Sequence, residues 1–206
     1  MPQTVYVLTF TNDSKFSDLT FVYQSESFHV HRIIVYGQSE YFDECFSEEG
    51  IVSVEPRGKR QREAGKMQKG HGGHILLNLN RKQVQAMLHF MYSGVVSGSI
   101  TCKEDFNEAV EEYRAASLYD VLSWKDKLEI KIRDYFRQTS TGDELLQRTK
   151  LAYSNTHEDS IREWATEVCA PRLQELLRFD STREALKELI DEFYCFWDDL
   201  DAACTK

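Results

Sequence analysis

The sequence predicts a fold that is α/β in composition and α+β in layout: a small sheet with a cluster of short helices, then an all-helical extension. Three observations predict it. Leu19, Phe21 and Tyr23 alternate with Thr20 and Val22, a polar break follows at 24–27, and the alternation resumes at Phe28 and Val30. That is a hairpin pattern. The apolar spacing then turns helical, with Ile33, Ile34 and Val35 followed by Tyr41, Phe42, Cys45 and Phe46. From Trp124 onward the chain carries acidic amphipathic helices only.

In chain order, residues 4–10 (TVYVLTF) are β-branched and aromatic and predict a short strand. Asn12, Asp13 and Ser14 end it with turn chemistry. Within the second hairpin strand, His29 and His31 stand two apart and point the same way, a geometry a metal can use. No cysteine or carboxylate supports them at local spacing, so they read as packing or hydrogen-bonding histidines. No metal and no cofactor is expected.

Residues 55–74 carry almost no apolar side chain and cannot bury enough surface to offset their ordering entropy, so they are expected to be a mobile insertion. Order is expected to return as a strand over 75–79. A helix over 82–92 follows, with Val84, Met87, Leu88 and Met91 on one face and Ser93-Gly94 as its stop. A further helix covers 104–117.

Leu128, Ile132, Tyr135 and Phe136 mark the first helix of the extension. Thr141 with Glu144 has a capping-box pattern for the second. Ile161, Trp164, Ala165 and Val168 make the third, which Pro171 ends or kinks. Ser181 with Glu184 caps a fourth. Its stripe Leu186, Leu189, Ile190, Phe193, Tyr194, Trp197 and Leu200 is too apolar to stand alone in water, so it packs on neighbours or binds a partner.

Composition narrows the function. The net charge is −9, which argues against a dominant nucleic-acid surface. The sign is uneven: Arg57, Lys59, Arg60, Arg62, Lys66 and Lys69 oppose only Glu55 and Glu63, a +4 segment in an acidic chain. Lys59-Arg60-Gln61-Arg62 is a weak nuclear-localisation or phosphate-binding signal. Five widely spaced cysteines without a CxxC pair point to a reducing compartment, cytoplasm or nucleus. No signal-peptide pattern is expected at the N-terminus, and no stretch reaches the ~18 apolar residues of a membrane span. No GxGxxG, P-loop, GxSxG or HExxH motif occurs, and Cys45, beside Phe42 and Phe46, reads as an inert packed thiol. No enzyme is expected.

Five pieces in register carry a family resemblance: Ser17-Asp18, Phe28-His29-Val30-His31-Arg32, Ser39-x-Tyr41-Phe42 with Cys45-Phe46, residues 87–94 (MLHFMYSG) and residues 113–121 (YRAASLYDV). Together they resemble a BTB/POZ domain over about 15–122. The resemblance implies a BTB-like domain at 1–122 and a helical extension at 123–206, acting by protein–protein interaction.

It also implies candidate sites. A homodimer in the family's manner would draw on Val5, Val7, Phe16, Ile33 and Ile34, with the N-terminal strand either crossing to the partner or staying on its own subunit. Asp18 and Arg32 match the charges of a groove seen in zinc-finger repressors of the family, and equally suit a structural ion pair. Adaptor members recruit a cullin scaffold through an apolar-x-Glu triplet. Phe46-Ser47-Glu48 has that composition but falls earlier than the usual place. The helix with Leu186, Leu189, Ile190, Phe193 and Trp197 is the candidate for an unknown protein client. A transcription or chromatin role rests only on the basic insertion.

Overall fold

The computed structural model describes residues 14–23, 25–44, 73–155 and 158–205. The predicted strand at 4–10, the residues Cys45, Phe46 and Glu48, and nearly all of the basic insertion lie outside them.

Three strands form a sheet in the order β2-β1-β3. β1 (Leu19–Tyr23) and β2 (Glu26–Val30) are antiparallel, and their register sets Leu19 opposite Val30 and Phe21 opposite Phe28. All four side chains are buried, so the alternation seen in the sequence places them together as cross-strand pairs on one face. The turn is tighter than predicted. Tyr23 pairs with Glu26, so β2 starts two residues before Phe28. β3 (Gly73–Leu76) runs parallel to β1. It starts and stops earlier than the predicted 75–79. Leu77 still donates its N–H to Val22, and Leu77 and Leu79 are buried beyond the strand.

Two one-turn helices, α1 (Arg32–Tyr36) and α2 (Glu40–Glu44), follow the hairpin. α3 (Arg81–Ser93) buries Val84, Met87, Leu88 and Met91, the face its periodicity predicted. Its start carries a capping box: Asn80 accepts from the N–H of Gln83, whose side chain accepts from the N–H of Asn80. Its end is Gly94 at φ 68°, a left-handed conformation that only glycine adopts without cost.

α4 (Lys103–Leu118), α5 (Leu122–Arg137), α6 (Gly142–Asn155) and α7 (Asp159–Cys169) come next. Thr141 caps α6 by accepting the Glu144 N–H at 3.2 Å. The return bond of the predicted box goes one residue astray, from the Ser140 N–H to the Glu144 carboxylate. Pro171 ends α7 as expected, inside a 3₁₀ turn at Ala170–Arg172. A short helix not foreseen, α8 (Leu173–Arg178), then precedes α9 (Asp180–Glu192). Ser181 does not cap α9. The helix begins a residue earlier, and it is Thr182 that bonds back to the carbonyls of Leu176 and Phe179.

The long apolar stripe beginning at Leu186 is not one helix. α9 ends at Glu192, Phe193 is extended (φ −126°, ψ 90°), and α10 (Tyr194–Cys204) starts afresh. On the new helix Phe196 and Leu200 turn inward, while Tyr194 and Trp197 turn out.

The chain divides into two compact units, Met1–Gly98 with Glu111–Leu128, and Ser99–Val110 with Glu129–Lys206. The first unit's core joins the sheet to the helices through aromatics. Phe21 meets Phe42 at 5.0 Å between ring centroids, and Phe42 stacks on Tyr119 at 5.5 Å. Rings so placed add about 0.5–1.5 kcal/mol each to the gain from burial. In the second unit, Phe106 meets Phe136 edge-on at 5.9 Å, and the Arg148 guanidinium lies 4.1 Å over Tyr135.

Candidate interaction site

The candidate site of the first unit is built where β1, β2 and α1 meet. Asp18 immediately precedes β1, and Arg32 opens α1. Two hydrogen bonds join them, each from the side chain of one residue to the backbone of the other. The Asp18 carboxylate accepts the Arg32 backbone N–H at 2.8 Å, and Arg32 Nε donates to the Asp18 carbonyl at 3.1 Å. The acid thus satisfies a helix-start donor, while the base ties down the strand-start carbonyl. Of the two roles the sequence left open, the geometry has the features of the structural one. The pair clamps the entry of β1 to the exit of β2.

Next to it, His31 N–H donates to Tyr92 Oη at 3.0 Å, and the same hydroxyl lies 2.8 Å from His31 Nδ1. One hydroxyl thus accepts the backbone proton and also bonds the ring nitrogen, in a direction set by the imidazole tautomer. Burial raises the Tyr92 hydroxyl above its ordinary pKa and the nearby Asp18 charge adds to this, against the His31 hydrogen bond. The predicted hydrogen-bonding role of His31 is thus met by a tyrosine 61 residues away. Among the described residues, no three His, Cys, Asp or Glu side chains gather as metal ligands do.

Beside this clamp stand two of the apolar residues singled out as a dimer surface. Ile33, the second residue of α1, is 85% exposed, and Phe16 is 74% exposed. Ile34 is half-buried, while Val35 faces the core. Phe16 also holds φ 69°, a left-handed conformation costly for an aromatic residue. Val5 and Val7 of the same expected surface, and Phe46 and Glu48 of the expected cullin contact, lie outside the described residues.

In the second unit the candidate client-binding stripe is divided by its own packing. Leu186 and Leu189 are buried, Ile190 and Phe193 are half-buried, and Trp197 is exposed. The Tyr153 ring meets Phe193 at 5.7 Å and Phe196 at 5.3 Å, and its hydroxyl donates to Asp199. Burial first, and then the Asp199 carboxylate, push that hydroxyl well above its usual pKa.

A three-stranded sheet with short helices, carrying the exposed Phe16 and Ile33 beside the clamp, has the build of a protein-interaction module. Residues 8–136 match the family model for the BTB/POZ domain, well over half the chain, and the protein belongs to that family. No curated protein matches the chain. Among the described residues, no helix is long and apolar enough to cross a membrane.

Proposed function

We propose that the protein is a self-associating interaction module that pairs through its BTB/POZ part and acts by binding rather than by catalysis. The observation that carries this reading is Ile33. A branched aliphatic side chain left 85% exposed on a helix whose other face is core gains most when a second surface covers it. Full burial of such a side chain contributes roughly 1.5–3 kcal/mol. The free thiols Cys102, Cys169, Cys195 and Cys204 support a reducing, intracellular setting.

Light scattering after gel filtration, across a tenfold dilution, tests it. A mass near twice 24.0 kDa at every dilution supports the homodimer, and Ile33→Asp or Ile34→Asp then returns it to a monomer. A dimer that survives both substitutions sinks this interface. A second reading, recruitment of a cullin scaffold, draws on the helical residues beyond 122. Capture of the cullin N-terminal domain on the immobilised protein separates the two, since self-association alone predicts none.

A further inference from the structure

The outward face of α10 joins exposed aromatic rings to carboxylates. Tyr194, Trp197, Asp198 and Asp201 stand at i, i+3, i+4 and i+7, one stripe of the helix, and all four are exposed. Tyr194 is 85% exposed and Trp197 51%, while the opposite stripe, Phe196 and Leu200, is core. Along this stretch of chain the charge has one sign. Between Glu188 and Thr205 there are six acids and no lysine or arginine.

Two of the six are engaged within the unit, Glu192 with Lys150 at 2.5 Å and Asp199 with Tyr153. Glu188, Asp191, Asp198 and Asp201 remain on the surface. They do not converge on a point as ligands of a cation would, since no metal-type cluster occurs among the described residues.

We propose that this aromatic and acidic stripe of α10 is a docking surface for a basic, amphipathic protein segment. Its apolar side chains would cover Tyr194 and Trp197, and its lysines and arginines would pair with Asp198 and Asp201. Charge complementarity selects this occupant. The stripe repels nucleic acid and anionic lipid alike, whereas a guanidinium or ammonium gains twice, from the carboxylates and from the faces of the exposed rings. The surface goes beyond self-association, because it lies on the second unit and involves none of the residues placed in the dimer.

The test titrates the full chain with a short amidated helical peptide of leucine, lysine and arginine, using a leucine–glutamate peptide as control. Trp197 reports directly, because Trp124 and Trp164 are buried. Binding is expected to shift tryptophan emission to the blue. It should weaken about tenfold as salt rises from 0.1 to 1 M and the Debye length shrinks from about 10 to 3 Å. The double variant Asp198→Asn/Asp201→Asn is expected to lose about tenfold in affinity, or 1.4 kcal/mol, with unchanged circular dichroism.

Equal binding of the glutamate peptide overturns the proposal, as does full affinity in the double variant. Loss of a dimer in Trp197→Ala, read by light scattering, also overturns it, because a second copy would then be the occupant. Ile34→Asp, which addresses only self-association, is expected to leave peptide binding intact.

Discussion

Ser39 donates its hydroxyl proton to the backbone carbonyl of Tyr119, 2.6 Å away and 80 residues further along the chain. The same oxygen accepts the N–H of Phe42 at 3.2 Å, so one buried serine caps α2 and anchors the end of α4. Tyr119 answers with its ring, stacked on Phe42, and with its hydroxyl, which accepts the Asn78 N–H at 2.9 Å. Two distant pieces of sequence, Ser39-x-Tyr41-Phe42 and the run ending at Val121, are thereby one structural device.

Ser39→Ala removes both bonds and leaves the Tyr119 carbonyl and a helix-start N–H in a site that is 2% exposed. Stranding such groups costs about 1–3 kcal/mol. Urea unfolding should show a lower midpoint with unchanged slope. A midpoint equal to the parent's would mean that water replaces the hydroxyl.

Gly142 opens α6 with no room beside it. A Cβ there would lie 2.8 Å from Leu176 Cδ2 and 3.1 Å from Thr182 Cγ2, and Leu176 is itself fully buried. Gly142→Ala is expected to destabilise by about 1–3 kcal/mol through overpacking, in spite of alanine's better helix propensity. Leu176→Ala costs stability alone, but in combination it should relieve the clash. The double-mutant cycle therefore reads a favourable coupling, and strict additivity would refute this packing.

Asp105 sits in the first turn of α4 and accepts from the Thr101 hydroxyl at 2.6 Å, the Thr101 N–H at 2.9 Å and the Cys102 N–H at 3.2 Å. The Thr101 side chain is the largest of these effects, and together they hold the carboxyl down at about 2. A depressed folded-state pKa contributes stability that is complete above the unfolded value near 4 and lost as pH falls towards 2. NMR of the side-chain carboxyl should follow that titration. Asp105→Asn should flatten the pH dependence of stability in this window, and an ordinary carboxylate titration near 4 would contradict the geometry.

The four described thiols should separate by reactivity. Cys102, Cys195 and Cys204 are exposed, while Cys169 is buried. Burial pushes the Cys169 thiol up to about 11, against its hydrogen bond with Thr149. The thiolate is the reactive form, so an aromatic disulfide reagent at neutral pH should modify the three exposed residues and spare Cys169 until the chain unfolds. Mass mapping of the native protein checks it, and early labelling at Cys169 would mean that the second unit opens locally.

Period-two and helical spacing were enough to place the buried residues of the hairpin, of α3 and of α5, because those patterns record which side of an element meets the core. Gly94 was readable as a helix stop because its left-handed conformation suits glycine alone. Asn80 with Gln83 has the spacing of an N-x-x-Q cap, a weaker local signal than the apolar face that follows it. Of the candidate site, the sequence showed which residues to watch, Asp18, Arg32, Ile33 and Trp197 among them, but not how they engage.

Tertiary contact decided the rest, for a physical reason. Nothing near Ser39 in sequence announces Tyr119, nor does anything near His31 announce Tyr92, since these bonds close loops of 80 and 61 residues. Phe193 has no local feature of a helix breaker. It is extended where Tyr153 packs against it, and that single residue divides one apolar stripe between two helices. The apolar residues themselves thus came from the sequence alone. Which of them face inward, and which stay on the surface as Ile33, Tyr194 and Trp197 do, was settled only when distant segments competed for the same core.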